Sequence, residues 1–254
     1  DKSQPWLDPK MWRLVLPNLG RSITIDRLMT LYKKALEKGA DEVQIWASQH
    51  LNIQIGMGKH AEGWVGADYW PDAAVPATLD EILESSDVVT AGIDGGGLDD
   101  VVGLGLLGRH RETRVWQVWA RAWAHPVVLE RRTDIVTSLR DFERDGDLIV
   151  CEDPTQDLRE VAEILKRVSD AGLFPEAHGI GLDPYGVAAL VDELAEVGLD
   201  GDLLSAIVQG TRLSPAVWGA ERKLNDGTLT HADQPLMAWC VSNAKTEQRG
   251  SAVM

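Results

Sequence analysis

The pattern of hydrophobic and polar positions changes along the chain, and from Thr78 onward it predicts strands and helices in a regular order. Three apolar runs, Val88 to Ile93, Val101 to Leu107 and Arg114 to Trp123, have the length of strands. The polar turn at residues 108–112 joins the last two as a hairpin. Together these runs predict an antiparallel meander of three strands.

Short apolar strands alternate with one-sided helices after the meander. The predicted bounds are a helix from Pro126 to the turn at 145–147, strand Leu148 to Cys151, a helix capped by Asp157 and ending near Ala171, strand His178 to Leu182, helix Val187 to Val197, strand Leu203 to Val208, and helices Pro215 to Asn225 and Pro235 to Lys245. A meander followed by such alternation is the order of a ribonuclease H-like fold. We therefore predict an α/β protein with a mixed sheet, antiparallel in the meander and parallel beyond it, flanked by helices.

The residues before about Ala77 have a different pattern. They contain several turn signals and one clear helix, from Thr24 to about Lys38. Five tryptophans lie in this part: Trp6, Trp12, Trp46, Trp64 and Trp70. Thr78 and Glu81 then have the spacing of a capping box for a short helix. We predict a small tryptophan-rich linker region that packs against another body and carries no catalytic site.

Composition limits the possible functions. The net charge of −15 weighs against a nucleic-acid role, because affinity for phosphates normally comes from clustered Lys and Arg. Carboxylates around divalent cations reverse the local sign, so an acidic chain can still be a nuclease. Cys151 and Cys240 lie far apart in apolar segments, which favours buried core residues over a disulfide. No run approaches the roughly 20 apolar residues of a membrane span, and residues 1–12 do not have the pattern of a secretory signal, so a cytosolic location is expected.

Asp94 comes at the end of the first buried strand, within the run Gly92-Ile93-Asp94-Gly95-Gly96-Gly97. A carboxylate between glycines can be approached closely by a ligand backbone. Taken alone, the motif is equally compatible with a glycine-rich turn or with the phosphate-binding loop of sugar kinases and actin-like ATPases.

Asp183 repeats the pattern after a second apolar strand, in Gly181-Leu182-Asp183-Pro184. Carboxylates at the ends of neighbouring central strands can converge on a pair of divalent metal ions. Glu247 is the candidate third acid, because it extends by one turn the face of the last predicted helix that carries Trp239 and Asn243. A solvated turn at Asp183 and a solvated helix end at Glu247 are the alternatives.

Other chemistries find less support in the sequence. The six histidines are scattered, without the spacing of a zinc site. The Gly-x-Ser-x-Gly pattern of a serine nucleophile is absent. His231, beside Asp233, is a candidate for proton transfer, although a single loop histidine is more often structural. Oxygen ligands alone favour Mg²⁺ or Mn²⁺.

Several short motifs, taken together and in order, resemble the large terminase subunit of tailed bacteriophages. They are Leu16-Pro17-Asn18-Leu19-Gly20, Gln49-His50-Leu51-Asn52, Gly92 to Gly96, Gly181 to Pro184, Gly227 to His231 and Trp239 to Asn243. The agreement in order and spacing covers nearly the whole chain. In that family an ATPase motor drives DNA into the procapsid, and a ribonuclease H-like nuclease cuts concatemeric DNA.

The resemblance implies that residues 1–85 are the end of the ATPase region and the linker, and that residues 86–254 are the nuclease domain. No Gly-x-x-x-x-Gly-Lys-Ser/Thr loop occurs in the sequence, so the motor would lie elsewhere in the same polypeptide. It further implies that Asp94 and Asp183 bind two Mg²⁺ or Mn²⁺ ions. The family's third acid follows the Asn of the last helix and is usually Asp, where this chain offers Glu247.

The implied partners are double-stranded DNA, the phage portal, the small terminase subunit and the ATPase half, and the implied location is the host cytoplasm. The arginines at 109, 111, 114, 121, 131 and 132 are candidates for contact with the DNA backbone, and for at least half of them ordinary surface charge is the preferred interpretation. Two other functions stay open: an actin-like sugar kinase, and a non-enzymatic assembly module of the packaging motor.

Overall fold

The computed structural model describes residues 8–16, 19, 23–51, 63–95, 97–98, 100–249 and 252–253. Pro17, Asn18, Gly20 and Asn52 of the motifs quoted above lie outside the described residues, as do Gly96 and Asp99. The helices are α1 Trp12–Val15, α2 Ile25–Lys38, α3 Ala40–Leu51, α4 Gly66–Tyr69, α5 Leu79–Ser85, α6 Pro126–Arg131, α7 Val136–Asp145, α8 Gln156–Asp170, α9 Ala188–Glu196, α10 Ser214–Asn225 and α11 Pro235–Asn243. Within the described ranges, no helix is long and apolar enough to span a membrane.

The strands are β1 Ser86–Asp94, β2 Val101–His110, β3 Trp116–Ala124, β4 Leu148–Val150, β5 Ile180–Leu182, β6 Leu204–Ala206, β7 Leu229–His231, and the small pair β8 Gln248–Arg249 and β9 Ala252–Val253. The main sheet has the order β4-β3-β2-β1-β5-β6, with β7 paired beside β3. Strands β1, β2 and β3 are antiparallel neighbours, whereas β5 is parallel to β1 and β6 to β5. The predicted mixed α/β sheet is confirmed.

Local sequence signals explain the entry into this sheet. Thr78 and Glu81 form the predicted capping box at the start of α5, and Thr24 caps α2 through a bond from the backbone N–H of Arg27. Residues 63–85 pack onto the sheet, since Leu79 and Ile82 belong to its main core and Ala74 bridges His231. The boundary between linker and nuclease at residue 85 stays a prediction.

The two faces of the sheet are packed differently. One face carries large buried side chains such as Leu104, Leu106 and Trp123, which pack with α8 and α9 in the main core. On the other face a row of small residues crosses four strands, because Gly92 pairs with both Gly105 and Gly181, and Gly105 pairs with Ala120. Side chains alternate between faces along a strand, so this row leaves the middle of that face, here called the open face, without large side chains. Toward β4 the same face is packed against α6 and α7.

Several predicted elements differ from the structure. The single helix predicted from Pro126 is two helices, interrupted at Arg132, whose backbone (φ −96°, ψ 57°) is not helical. Asp157 does not cap α8; Thr155 holds that position, and Asp157 is turned inward in the first helical turn, where it is 5% exposed. The last helix ends at Asn243, because Lys245 leaves it to bridge Gly63.

The tryptophan-rich region contains a second helix that the sequence interpretation missed. Val43, Trp46, Ala47 and Leu51 of α3 are buried at helical spacing, against Leu28, Tyr32 and Ala35 of α2. Trp12 packs between them, with its ring centroid 5.3 Å from that of Tyr32 and 4.7 Å from that of Trp46. The apolar spacing of α3 was available in the sequence.

Candidate metal centre of a nuclease

The sheet register brings Asp94 and Asp183 together. Ile93 on β1 pairs with Leu182 on the parallel strand β5, so the next residue on each strand, Asp94 and Asp183, lies at the same level. Each aspartate directly follows a core residue, Ile93 or Leu182. Because side chains alternate between the two faces of a sheet, both carboxylates point to the open face. The convergence predicted from two strand ends is present in the structure.

Gln209 connects the two carboxylates. Its side-chain nitrogen Nε2 donates one hydrogen bond to Oδ1 of Asp94 (3.0 Å) and one to Oδ2 of Asp183 (2.9 Å). One nitrogen contacts both, so the two carboxylate oxygens lie within two hydrogen-bond lengths of each other. Asp183 is oriented further by the backbone N–H of Tyr185, which donates to its Oδ1 (2.9 Å).

Sequence reasoning missed Gln209. It follows β6, the strand beside β5, and the backbone N–H of Ile207 donates to the carbonyl of Leu182 (2.8 Å). Counting from that contact, Gln209 falls on the same face as Asp183. Its position after the third parallel strand was the available signal, but an isolated Gln is not a recognisable motif.

The carboxylate pair opens into a cleft of about 970 Å³ whose floor includes Gly92, Gly105 and Gly181. A smaller cavity of about 230 Å³ adjoins it and is lined by Asp94, Gly95, Gly97, Asp100, Asp183, Tyr185 and Gly186. A Cβ atom added at Gly92 would meet no atom of the described residues within 4 Å, so there is space above the sheet at this point. Asp94 is exposed and Asp183 is half-buried, and a ligand can therefore reach both.

Gly95 is required for the turn that holds Asp94. Its φ of +95° is disfavoured for other residues, and a Cβ atom there would lie 2.3 Å from the carbonyl oxygen of Val101. We expect Gly95→Ala to lower the free energy of unfolding by about 1–3 kcal/mol, measured by urea denaturation. Gly92→Ala is the matched control, because its Cβ has free space; equal losses in both variants would contradict this account of the turn.

Glu247 is not placed on the helical face predicted for it. Helix α11 ends four residues earlier, and Glu247 follows the bridge of Lys245 to Gly63 as an exposed residue. Glu247 is not among the described residues that line the two cavities beside Asp94 and Asp183. The helical argument for it was wrong, and its role as third ligand stays a prediction that the geometry of Asp94 and Asp183 does not support.

The arginine candidates differ in their surroundings. Arg109 and Arg114 both pair with Asp87, and Arg111 donates to backbone carbonyls of residues 84–86. Arg121 stacks over the ring of Trp119 at 5.1 Å. Its register partner is Leu104, on the face opposite Asp94.

Arg121 and Arg132 are the candidates that line the cleft, and Arg132 also forms an ion pair with Asp134 at 3.6 Å. The contacts of Arg109, Arg111 and Arg114 agree with the preference for ordinary surface or structural charge.

His231 has a structural role. It is 2% exposed on β7, its ring stacks on that of Trp70 with centroids 4.0 Å apart, and its Nε2 bonds the carbonyl oxygen of Trp70 at 2.8 Å. Burial lowers the pKa of the His231 imidazole below its ordinary value of 6.5, so the ring is held neutral. The candidate role in proton transfer has no geometric support.

This histidine gives stability a pH dependence. Because the folded-state pKa of His231 lies below 6.5, the unfolded chain binds more protons at low pH. Its contribution is complete above about pH 6.5 and is lost as the pH falls through the lower folded-state pKa. We expect urea-derived unfolding free energies to decline from pH 7.5 to 5, and to decline less in His231→Gln; identical slopes in the two proteins would be the contrary result.

Three comparisons relate the chain to known proteins. A family model described as terminase large subunit, endonuclease domain, matches residues 1–254. Protein YmfN of Escherichia coli (strain K12) is 23% identical over 250 residues, which cover 96% of this chain and 53% of that protein. The crystal structure of the HK97 bacteriophage large terminase has a TM-score of 0.60 at 18% identity, over 99% of this chain and 50% of that one.

The structural match confirms the ribonuclease H-like fold class, and the chain spans about half the length of both relatives. The family match runs from the tryptophan-rich region to the last strand, so the resemblance carried by scattered short motifs is also confirmed. It gives no support to the actin-like sugar kinase alternative. The chain belongs to the family of terminase large subunit endonuclease domains.

Proposed function

We propose that this domain cuts concatemeric double-stranded viral DNA during genome packaging, by metal-dependent hydrolysis of phosphodiester bonds. The observation that carries the proposal is the pair Asp94 and Asp183, level on neighbouring strands and joined by one amide nitrogen. The reaction would take place in the host cytoplasm, with the portal, the small subunit and an ATPase region of the same polypeptide as partners.

The residues present fit divalent cations. The side-chain amide nitrogen of Gln209 is a weakly positive donor that lies between the two carboxylates. A divalent cation attracted by both carboxylates would lie in the same place. The donor set consists of oxygen atoms, and such sets suit Mg²⁺ and Mn²⁺. Asp94 and Asp183 would hold two ions, and Glu247 is the predicted third acid. Bound ions would lower the pKa of an attacking water and neutralise charge that develops on the phosphate.

The chain's own residues would position the substrate. Asp183 is oriented by the N–H of Tyr185, and Asp94, the last residue of β1, by the amide of Gln209, so both carboxylates are oriented before any ligand enters. A Gln209 released from the carboxylates could donate to a phosphate oxygen. The glycine row lets a backbone approach the sheet closely, and Arg132 offers positive charge at the rim. With a net charge of −15, weak intrinsic affinity for DNA is expected, and packaging partners would supply the remainder.

The test is conversion of supercoiled plasmid to open circles by the chain with Mn²⁺ or Mg²⁺. We expect nicking that stops in excess chelator and is lost in Asp183→Ala. A folded chain that is inert under all these conditions would favour the assembly module instead, and nicking that survives Asp183→Ala would overturn the proposed site.

A separate substitution tests Glu247, the predicted third acid. If Glu247 is a ligand, we expect Glu247→Ala to reduce nicking, whereas the control Glu196→Ala on α9 should leave nicking unchanged. Full activity of Glu247→Ala would remove that residue from the site and leave Asp94 and Asp183 in place.

A further inference from the structure

A second group of metal-ligating side chains lies outside the nuclease site. His125 directly follows β3, Cys151 directly follows β4, and Asp157 lies in the first turn of α8. Strands β3 and β4 are parallel, and the backbone N–H of Cys151 donates to the carbonyl of Ala124 at 2.9 Å. Two neighbouring strand ends therefore bring the histidine and the cysteine together, and the start of the helix adds the carboxylate.

The three side chains are buried and close. His125, Cys151 and Asp157 are 6%, 2% and 5% exposed. A ring nitrogen, the sulfur and a carboxylate oxygen all lie within 4.8 Å of one another, and Nε2 of His125 is 3.3 Å from Oδ2 of Asp157. Ligands of a tetrahedral Zn²⁺ lie roughly 3.3–3.8 Å apart, given Zn–S and Zn–N bonds of about 2.3 and 2.0 Å. The separations in the structure are therefore close to those of a tetrahedral site.

The carboxylate of Asp157 gives an independent indication of a ligand. Its Oδ1 is buried and has no hydrogen-bond partner among the described residues. A buried carboxylate oxygen without a partner is costly, and such groups in proteins are normally hydrogen-bonded, paired or bound to a metal. A cation among the three side chains would satisfy it.

A nucleophilic Cys-His pair is the competing chemistry, and the burial of Cys151 disfavours it. Cys151 is 2% exposed, so its sulfur is closed off from solvent and from any substrate.

We propose that His125, Cys151 and Asp157 bind one Zn²⁺ ion, as three of the four ligands of a tetrahedral site. Sulfur, nitrogen and oxygen donors together are typical of zinc, and a thiolate plus a carboxylate would balance its two positive charges in the core. The ion would join the ends of β3 and β4 to the start of α8. The site is independent of the carboxylates that hold Mg²⁺ or Mn²⁺ in the proposed nuclease centre, because none of its three residues lines the cavities at Asp94.

The experiment uses the full chain, freed of metal by chelator and then given Zn²⁺ or Co²⁺. We expect one Zn²⁺ per chain to survive desalting, and Co²⁺ to produce the thiolate charge-transfer absorption of a sulfur-bound ion. Cys151→Ala should abolish that absorption, whereas Cys240→Ala, at the exposed cysteine, should retain it. We expect Asp157→Asn to weaken Zn²⁺ affinity by about 10–100-fold.

The outcomes separate this site from the nuclease centre. The double variant Asp94→Asn, Asp183→Asn should keep the Co²⁺ absorption, whatever its effect on DNA cutting. A folded chain that takes up no stoichiometric Zn²⁺, or one whose Co²⁺ absorption depends on Cys240 and not on Cys151, would overturn the proposal. If Cys151→Ala fails to fold, His125→Gln and Asp157→Asn provide the same test, with circular dichroism to confirm folding.

Discussion

Asp94→Asn is expected to lower the initial rate of plasmid nicking in Mn²⁺ by at least about 100-fold, which corresponds to roughly 3 kcal/mol of transition-state stabilisation. Asn keeps the shape of the side chain and can still accept the hydrogen bond from Gln209, but it carries no charge to hold a divalent ion. The measurement is the rate at which supercoiled plasmid becomes open circles.

Asp192→Asn, at an exposed position of α9, removes the same charge away from the cleft and should leave the rate unchanged. The melting temperature of Asp94→Asn should match that of the unaltered protein, because Asp94 is exposed. Nicking at an undiminished rate by folded Asp94→Asn would remove this carboxylate from the reaction.

Leu165→Ala is expected to give the largest loss of stability, about 3–5 kcal/mol. Leu165 is 0% exposed on α8 and packs in the main core on the filled face of the sheet. Removing its side chain leaves a cavity that rigid strands on one side and a helix on the other can close only in part. The loss is measured from urea denaturation followed by far-UV circular dichroism.

Leu36→Ala makes the same chemical change on α2 at a position that is 52% exposed, and we expect a change within about 0.5 kcal/mol. If the two substitutions lowered the free energy of unfolding by the same amount, the buried face of α8 would not be the main source of stability. The open face is the part of the sheet where side-chain changes should affect ligands more than folding.

Much of the fold follows from signals that are local in sequence. The capping box of Thr78 and Glu81, the apolar runs of β1 to β3 and the apolar face of α8 each depend on residues that lie close together in the sequence. Asp94 and Asp183 were recognisable for the same reason, since each stands directly after an apolar strand. The strand order beyond the meander was not predicted, and the pairing of β5 with β1 and of β4 with β3 comes from the structure.

Other features depend on which distant residues become neighbours. The sequence places Gln209 in an unremarkable loop, and only the pairing of β6 with β5 brings its amide to both carboxylates. His125 and Cys151 are separated by two helices, and they meet because β3 and β4 pair in parallel. Asp157 looked like a helix cap in the sequence, but in the structure its side chain points inward, toward His125.

Asp94 itself shows the division. Its sequence determined a carboxylate at a strand end beside glycines, a pattern equally suited to a phosphate loop or a metal ligand. The register of β1 on β5 decided that a second carboxylate stands level with it, and the pairing of small residues around Gly92 decided that there is space beside the carboxylates. Register and face are properties of pairing between segments far apart in the chain, so only the tertiary structure could supply them.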